Sequence, residues 1–303
     1  VTLEIVPRMR YFIEGFGDVR MLKKTHDCFT VSVEDKVAHI ILSRPQAMNA
    51  MNQAFWNELP AIVNEIDATA AARVIVISSE GKHFSAGMDL SVFNQDGAVS
   101  HNKVDRHVAA EAYRSNIKQI QSSFNVLEKC RIPVLLACQG GVIGGAMDMI
   151  SAGDIRWCTK DAFFCIQETN IAMVADVGTF PRLQRYIPEG WVKQMAYTGE
   201  RLGADKAKEI GLVNEVFDTQ EAMLEHVMGV AREIASKNPL AVTGCKVLIN
   251  YGRDHSTADT LDYIGVWNSG MLPPSHMQEA FKAKSEKRDA EYPDLLPLRT
   301  TPM

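Results

Sequence analysis

Residues 74–77 (VIVI) and 134–138 (VLLAC) are continuously apolar, and neither run alternates apolar with polar side chains. A strand with one face in water alternates with a period of two. Strands of this kind therefore need cover on both faces, as in a parallel sheet packed between helices. The flanking patterns supply such helices. Residues 49–68 carry Met51, Phe55, Leu59, Ile62 and Ile66 at helical spacing, and residues 109–130 read as a long amphipathic helix with Ile117, Ile120, Phe124 and Leu127 as its buried stripe. Residues 29–43 read as a hairpin around Glu34-Asp35, and residues 73–77, 133–138, 155–158, 162–166 and 211–217 as further strands. A helical region follows from Gly190, residues 204–210 form a short helix, and the chain is almost entirely helical from Glu221 onward. Alternating buried strands and helices indicate an α/β fold rather than a β-sandwich. The repeated strand-turn-helix units suggest turns of a superhelix, although periodicity does not fix that topology.

Charge and composition narrow the partners. The 303 residues carry 32 basic and 37 acidic side chains, a formal net charge of -5, which offers no polycation for a nucleic-acid backbone. None of the six cysteines forms a CxxC pair or a zinc spacing with histidine, so they read as reduced apolar fillers. The chain contains no 18-residue apolar span, and no membrane span is expected. Residues 1–28 hold five basic and four acidic residues, unlike an acid-poor transit sequence, and cytoplasmic residence is the expectation. Asn238-Pro239 interrupts the C-terminal helices, which gives an expected organisation of an extension (1–28), a core domain (29–239) and a helical region (240–303).

Two glycine-bearing turns follow the buried strands: KHFSAGMDL at 82–90 and QGGVIGGAMD at 139–148. Small residues let backbone approach backbone or ligand closely and leave amide N–H groups free for an anion. If the turns face one another, the N–H groups of Met88 and Gly145 can bind one developing carbonyl oxyanion. Neither turn has the GxGxxG or GxxxxGK[ST] pattern, which argues against dinucleotide and nucleotide enzymes. Three acids lie in apolar surroundings nearby: Asp148, Glu168 and Asp176. Acids in such segments have either a partner or a task. Structural roles are open for each: Asp148 as a helix cap, Glu168 paired with Arg182 or Arg185, and Asp176 capping the turn near Gly178.

The segments SRPQAMNAM (43–51), GKHFSAGMDL (81–90), IPVLLACQGGVIGGAMDM (132–149), GERLGADKAKEIGLVNEVF (199–217) and EAFKAKSEKR (279–288) together resemble the enoyl-CoA hydratase/isomerase, or crotonase, superfamily. The resemblance implies a crotonase-like (ClpP/crotonase) spiral of strand-strand-helix turns with a C-terminal α-helical region. It also implies an acyl-CoA thioester as substrate and backbone oxyanion donors at Met88 and Gly145. Ala146 replaces a common third glycine, which the turn tolerates if its φ is negative. Residues 154–183 are especially similar to the dienoyl-CoA isomerase branch, which carries Asp, Glu and Asp at the positions of Asp148, Glu168 and Asp176. The resemblance makes Asp176 the base at C2 and Glu168 the acid at C6. Asp148 then positions or polarises Glu168, and the apolar pocket and the nearby Asp148 both raise the Glu168 pKa.

Further expectations concern the pocket. Arg44, Lys284 and Lys287 are the candidate cations for CoA phosphates. Ser85, Ala86, Met88, Leu90, Gly144 and Gly145 are candidate substrate contacts, and Tyr113, Ile117 and Phe124 offer apolar surface for the acyl chain. His83 reads as solvated or structural rather than as a catalytic base. No metal, flavin or nicotinamide is required, because the thioester already acidifies C2 and no net electrons move. By resemblance the assembly is a homotrimer or a hexamer made of two trimers. Three alternatives stand beside this reading: an enoyl-CoA hydratase using Asp148 and Glu168, an acyl-thioester hydrolase, and a noncatalytic RNA-binding or scaffold protein on the same fold.

Overall fold

The computed structural model describes residues 26–89 and 105–298. Strands β1 (Phe29–Glu34) and β2 (Val37–Leu42) form an antiparallel hairpin whose two-residue turn, Asp35-Lys36, has positive φ at both positions. Such a turn matches the right-handed strand twist. Strand β2 pairs in parallel with β3 (Val74–Ser79), and the parallel run continues through β4 (Val134–Cys138), β6 (Ile155–Thr159) and β9 (Glu215–Phe217). A smaller sheet contains β5 (Gly141–Ile143), β7 (Phe163–Cys165) and β8 (Leu202–Gly203). The helices of this part are α1 (Gln53–Thr69), α2 (Arg106–Lys129), α3 (Gly145–Ala152), α4 (Thr179–Leu183), α5 (Glu189–Thr198), α6 (Ala204–Glu209) and α7 (Gln220–Ser236). Strand from the large sheet, strand from the small sheet, then helix: β4–β5–α3 is one turn of the spiral, and β6–β7 followed by α4 and α5 is the next.

The apolar runs are buried on both faces, as their lack of alternation requires. Ile75 and Ile77 of β3, with Val134 and Leu136 of β4, join the main core beneath α1 and α3. The alternate residues Val74, Val76, Leu135 and Ala137 meet Met223, Val227 and Ala231 of α7 on the opposite face. A polar side chain at any of these positions would lose its water without a partner. The six cysteines are all free thiols, and only Cys245 is exposed.

Several boundaries and stripes differ from the sequence expectation. Helix α1 begins at Gln53 rather than 49, because Asn52 caps it by accepting from the Phe55 N–H at 3.0 Å. Helix α2 begins at Arg106, where Asp105 accepts from His107 and Val108. Of its expected stripe only Phe124 and Leu127 are fully buried, while Ile117 and Ile120 are half-buried. Strand β9 is three residues long because Gly211 turns the chain with φ +87° before it.

The C-terminal helices are α8 (Pro239–Tyr251), α9 (Thr257–Met271) and α10 (Pro274–Glu286). Asn238 caps α8 by accepting from Leu240 N, and Pro239 fills the first helical position, where no N–H is needed. The tail beyond α10 returns to the core: Asp294 pairs with Lys36 and Arg73, and Leu298 N donates to Ala68 O. Among the described residues, no helix is long and apolar enough to cross a membrane.

One packing contact carries a measurable consequence. Pro60 lies inside α1 and has no N–H for the carbonyl of Trp56, four residues back. The hydroxyl of buried Ser123, on α2, donates to that carbonyl at 3.1 Å instead. Ser123→Ala is expected to lower the unfolding free energy by about 1–3 kcal/mol, since the carbonyl is left unpaired. In a Pro60→Ala background, which restores an intrahelical donor, the same change should cost much less. Denaturant titration of the wild type, both single variants and the double variant measures that coupling.

Candidate active site

Hydrogen bonds hold the two glycine-bearing turns together in register. Ser85 N donates to Gly141 O and Ile143 N to Ser85 O, each at 3.2 Å, while Met51 N donates to Gly87 O at 2.8 Å and Asp89 N to Met51 O at 3.1 Å. In this parallel pairing the N–H of Met88 itself points away from Met51. Gly145 is the first residue of α3, where an N–H has no acceptor within its own helix. Among the described residues neither amide has a hydrogen-bond acceptor, and a Cβ built on Gly145 would lie 3.7 Å from Met88 N. Gly87 makes the approach possible: its φ is +80°, and a Cβ there would collide with the Ile143 carbonyl. The paired amides sit together at the positive end of α3.

A cavity of about 500 Å³ opens on these amides, and Asp148, Glu168 and Asp176 all line it. Asp148 sits in the first turn of α3 with 1% of its surface exposed. Its Oδ1 accepts from both the N–H and the hydroxyl of Thr179, each at 2.7 Å. Glu168 begins a short 3-10 turn after β7, and its Oε1 lies 3.1 Å from where a Cβ on Gly144 would be. Asp176 sits before α4, its carbonyl held by Gln121 Nε2 at 2.6 Å. Burial is the main force on all three carboxyls. It pushes Asp148 up from 3.8 to about 7, against the two Thr179 hydrogen bonds, with the charges of Glu168 and Asp176 adding to the rise. Glu168 is raised by burial and then by Asp176, and Asp176 is raised by burial.

Glu168 is raised first by burial, with the charge of Asp176 adding, and like-charge coupling between Asp148 and Glu168 raises Asp148. The other structural partners considered for these acids are engaged elsewhere. Arg182 binds Glu128 and Asn125, and Arg185 pairs with Asp254 at 2.5 Å.

Ala86, Met88, Gly144 and Gly145 line the cavity, with Met88 also packed on the core. Ala146 has no positive φ and continues α3. Ser85 is not a lining residue. It is fully buried, donates to Asn49 O at 2.8 Å and accepts from Gly87 N at 3.1 Å, so it braces the oxyanion turn. Phe124 is likewise core, packed against Phe55 and Trp56, because its face of α2 points at α1. Tyr113 is 49% exposed and outside the cavity lining. Arg44 donates to Ala50 O at 2.9 Å and pins the opening turn; Lys284 and Lys287, at the end of α10, also lie outside the lining. Leu90 falls outside the described residues. His83 is structural, its Nδ1 accepting from Gly141 N at 2.9 Å.

Two contributors were missed. Asn49 donates to the carbonyls of Glu80 and His83 and accepts from Arg44 N, tying the opening turn to the oxyanion turn. Its signal was a polar residue in a turn between a strand and a helix. Arg201 is the cation among the cavity-lining residues, its guanidinium 4.4 Å over the Phe163 ring. It adjoins the Leu202–Gly203 strand, and nothing in local spacing marks it as facing the site.

The Asp148 environment has a signed consequence for stability. A carboxyl raised from 3.8 in the unfolded chain to about 7 in the fold binds its proton more tightly when folded. Folding stability is then lost as pH rises through that window and stays reduced above it. Asp148→Asn keeps an oxygen for Thr179 but cannot ionise. It should melt several degrees above the wild type at about pH 8, with the gap narrowing toward about pH 5. A gap that does not vary with pH in thermal melts contradicts the assignment.

The family model described as Enoyl-CoA hydratase/isomerase matches residues 32–294. The chain is 40% identical over 260 residues to the Delta(3,5)-Delta(2,4)-dienoyl-CoA isomerase, mitochondrial, of Homo sapiens, covering 85% of this chain and 79% of that one. It is 36% identical over 272 residues to the peroxisomal enzyme of the same name from Arabidopsis thaliana, covering 90% and 98%. The crystal structure of enoyl-CoA hydratase from Bacillus anthracis superposes with a TM-score of 0.78 at 29% identity, covering 88% of this chain and 99% of that one. The organelle names of these relatives overturn the cytoplasmic expectation, which rested on the acidic residues of the first 28 positions. A match that runs through both amide turns, all three acids and the C-terminal helices makes this chain a member of the enoyl-CoA hydratase/isomerase (crotonase) superfamily.

Proposed function

We propose that the chain isomerises a 3,5-dienoyl-CoA to its 2,4-isomer. The observation that carries this reading is the presence of Asp148, Glu168 and Asp176 around one cavity with two amides that are unpaired among the described residues. A hydratase of the superfamily needs two acids at this site; the third gives a second, separate place to exchange a proton. In this scheme the thioester oxygen accepts from Met88 N and Gly145 N. Ionised Asp176 removes a proton from C2, and the electron pair spreads through the conjugated chain onto that oxygen. Neutral Glu168 then returns a proton at C6, leaving double bonds at C2–C3 and C4–C5. The charge of Asp176 opposes ionisation of Glu168, which favours the required starting state. Asp148 polarises Glu168 from the floor of the cavity. Asp176 is then protonated and Glu168 ionised; exchange of these protons with water restores the starting state, and no redox partner is needed.

Losing one oxyanion donor costs about 3 kcal/mol of barrier stabilisation in comparable sites. A well-placed acid or base contributes roughly 10²–10⁴-fold in rate. We assign Lys284 and Lys287 to CoA phosphates across a subunit boundary, within a trimer or a hexamer made of two trimers. Leu261, Val266 and Phe281 of α9 and α10, each more than 60% exposed in the single chain, favour such an assembly.

A second reading is hydration of a 2-enoyl-CoA by Asp148 and Glu168, favoured by the similarity to the bacterial hydratase. Incubation with a 3,5-dienoyl-CoA, followed by absorbance of the conjugated 2,4-product, separates the two. Turnover is expected, with Asp176→Asn reducing kcat by about 10²–10⁴-fold and changing KM little. Rapid water addition to a 2-enoyl-CoA with no dienoyl turnover would reverse the order.

A further inference from the structure

Thr179 makes two contacts that the reaction scheme does not use. Its N–H and its hydroxyl both donate to one oxygen of Asp148, at 2.7 Å each, and the residue is 1% exposed. It is the first residue of α4, three positions after Asp176, so one short segment carries Asp176 and grips Asp148. The segment is pinned from α2 on both sides of Thr179. Gln121 donates to Asp176 O at 2.6 Å, and Asn125 and Glu128 hold Arg182 at 2.6 and 3.1 Å. Gln121, Asn125 and Glu128 are spaced four and three residues apart and share one face of that helix.

We propose that Thr179 is a positioning residue: by saturating Oδ1 of Asp148 with two donors, it directs the proton of neutral Asp148 onto Oδ2, so that Asp148 meets the cavity and Glu168 as a hydrogen-bond donor. An oxygen already accepting two hydrogen bonds is a poor place for a proton, whereas Oδ2 has no partner among the described residues and Asp148 lines the cavity. The charged groups facing Asp148 are Glu168 and Asp176. On the helices packed against α3, Arg182 of α4 and Glu128 of α2 are engaged with each other, and Arg201, which lines the same cavity, stacks over Phe163. The Thr179 donors thus oppose burial in setting how readily Asp148 ionises. This role rests on the proposed isomerase reading for its catalytic effect, but the protonation of Asp148 does not.

The test measures both. Thr179→Val removes the hydroxyl and keeps the shape, while Thr179→Ser keeps the hydroxyl. Infrared difference spectra across pH, with Asp148→Asn identifying the Asp148 carbonyl band, follow its protonation without any substrate. The Thr179→Val titration should move upward by at least about half a pH unit, with Thr179→Ser close to wild type. On dienoyl-CoA, Thr179→Val should lower kcat about 5- to 50-fold with KM within about twofold, displace the pH–rate profile in the same direction, and be rescued by Thr179→Ser. Should Thr179→Val not fold, Thr179→Ala carries the same expectation. An unmoved Asp148 titration in a folded variant overturns the proposal. Wild-type protein inactive on the dienoyl thioester overturns the isomerase reading instead, and leaves the infrared result to decide on Thr179.

Discussion

The approach of two backbone amides, those of Met88 and Gly145, is the constraint around which the site is built. Each needs a separate reason to stay unpaired. Gly145 has one as the first residue of α3, and Met88 has one because its neighbours on both sides supply the bonds to Met51. Holding such groups in place requires rigid surroundings, since a misplaced donor recovers little of the charge that develops during reaction. Bridges between the turns, the Asn49 and Ser85 braces, and the positive φ of Gly87 supply that rigidity. The wholly buried strands β3 and β4 carry the two turns from adjacent positions in one sheet.

Around these two amides the chain gathers three acids that burial makes reluctant to ionise. Such an arrangement weakens the fold at neutral pH, because every buried carboxyl that ionises loses hydration it had in the unfolded chain. The structure limits the loss by giving Asp148 two donors and by placing no two acids on the same element. Groups whose environments push them away from ordinary values, grouped in a cleft, are the usual signature of proton-transfer chemistry.

Much of this was legible in the sequence where the signal was local. Continuous apolar runs at 74–77 and 134–138 foretold two-sided burial, and the glycine-bearing turns foretold close backbone approach at Met88 and Gly145. What failed was whatever depended on distant contacts. Phe124 and Ser85 were taken for pocket residues, yet Phe124 packs against α1 and Ser85 is sealed beneath the turn. Tyr113 has the right helix but stands 49% exposed on its outer part, away from the cavity lining. Arg201 and Thr179 were invisible because each acquires its meaning from a residue more than thirty positions away: Arg201 from Phe163, Thr179 from Asp148.

The central claim is that protons are exchanged at the two ends of one conjugated thioester held by those amides. It is tested most directly by a single turnover of 3,5-dienoyl-CoA in deuterium oxide, with the product analysed by nuclear magnetic resonance. The account predicts a 2,4-dienoyl product that has lost one hydrogen from C2 and carries deuterium at C6. A product bearing a hydroxyl at C3, or one with no deuterium at C6 and the label at C2 alone, would contradict it.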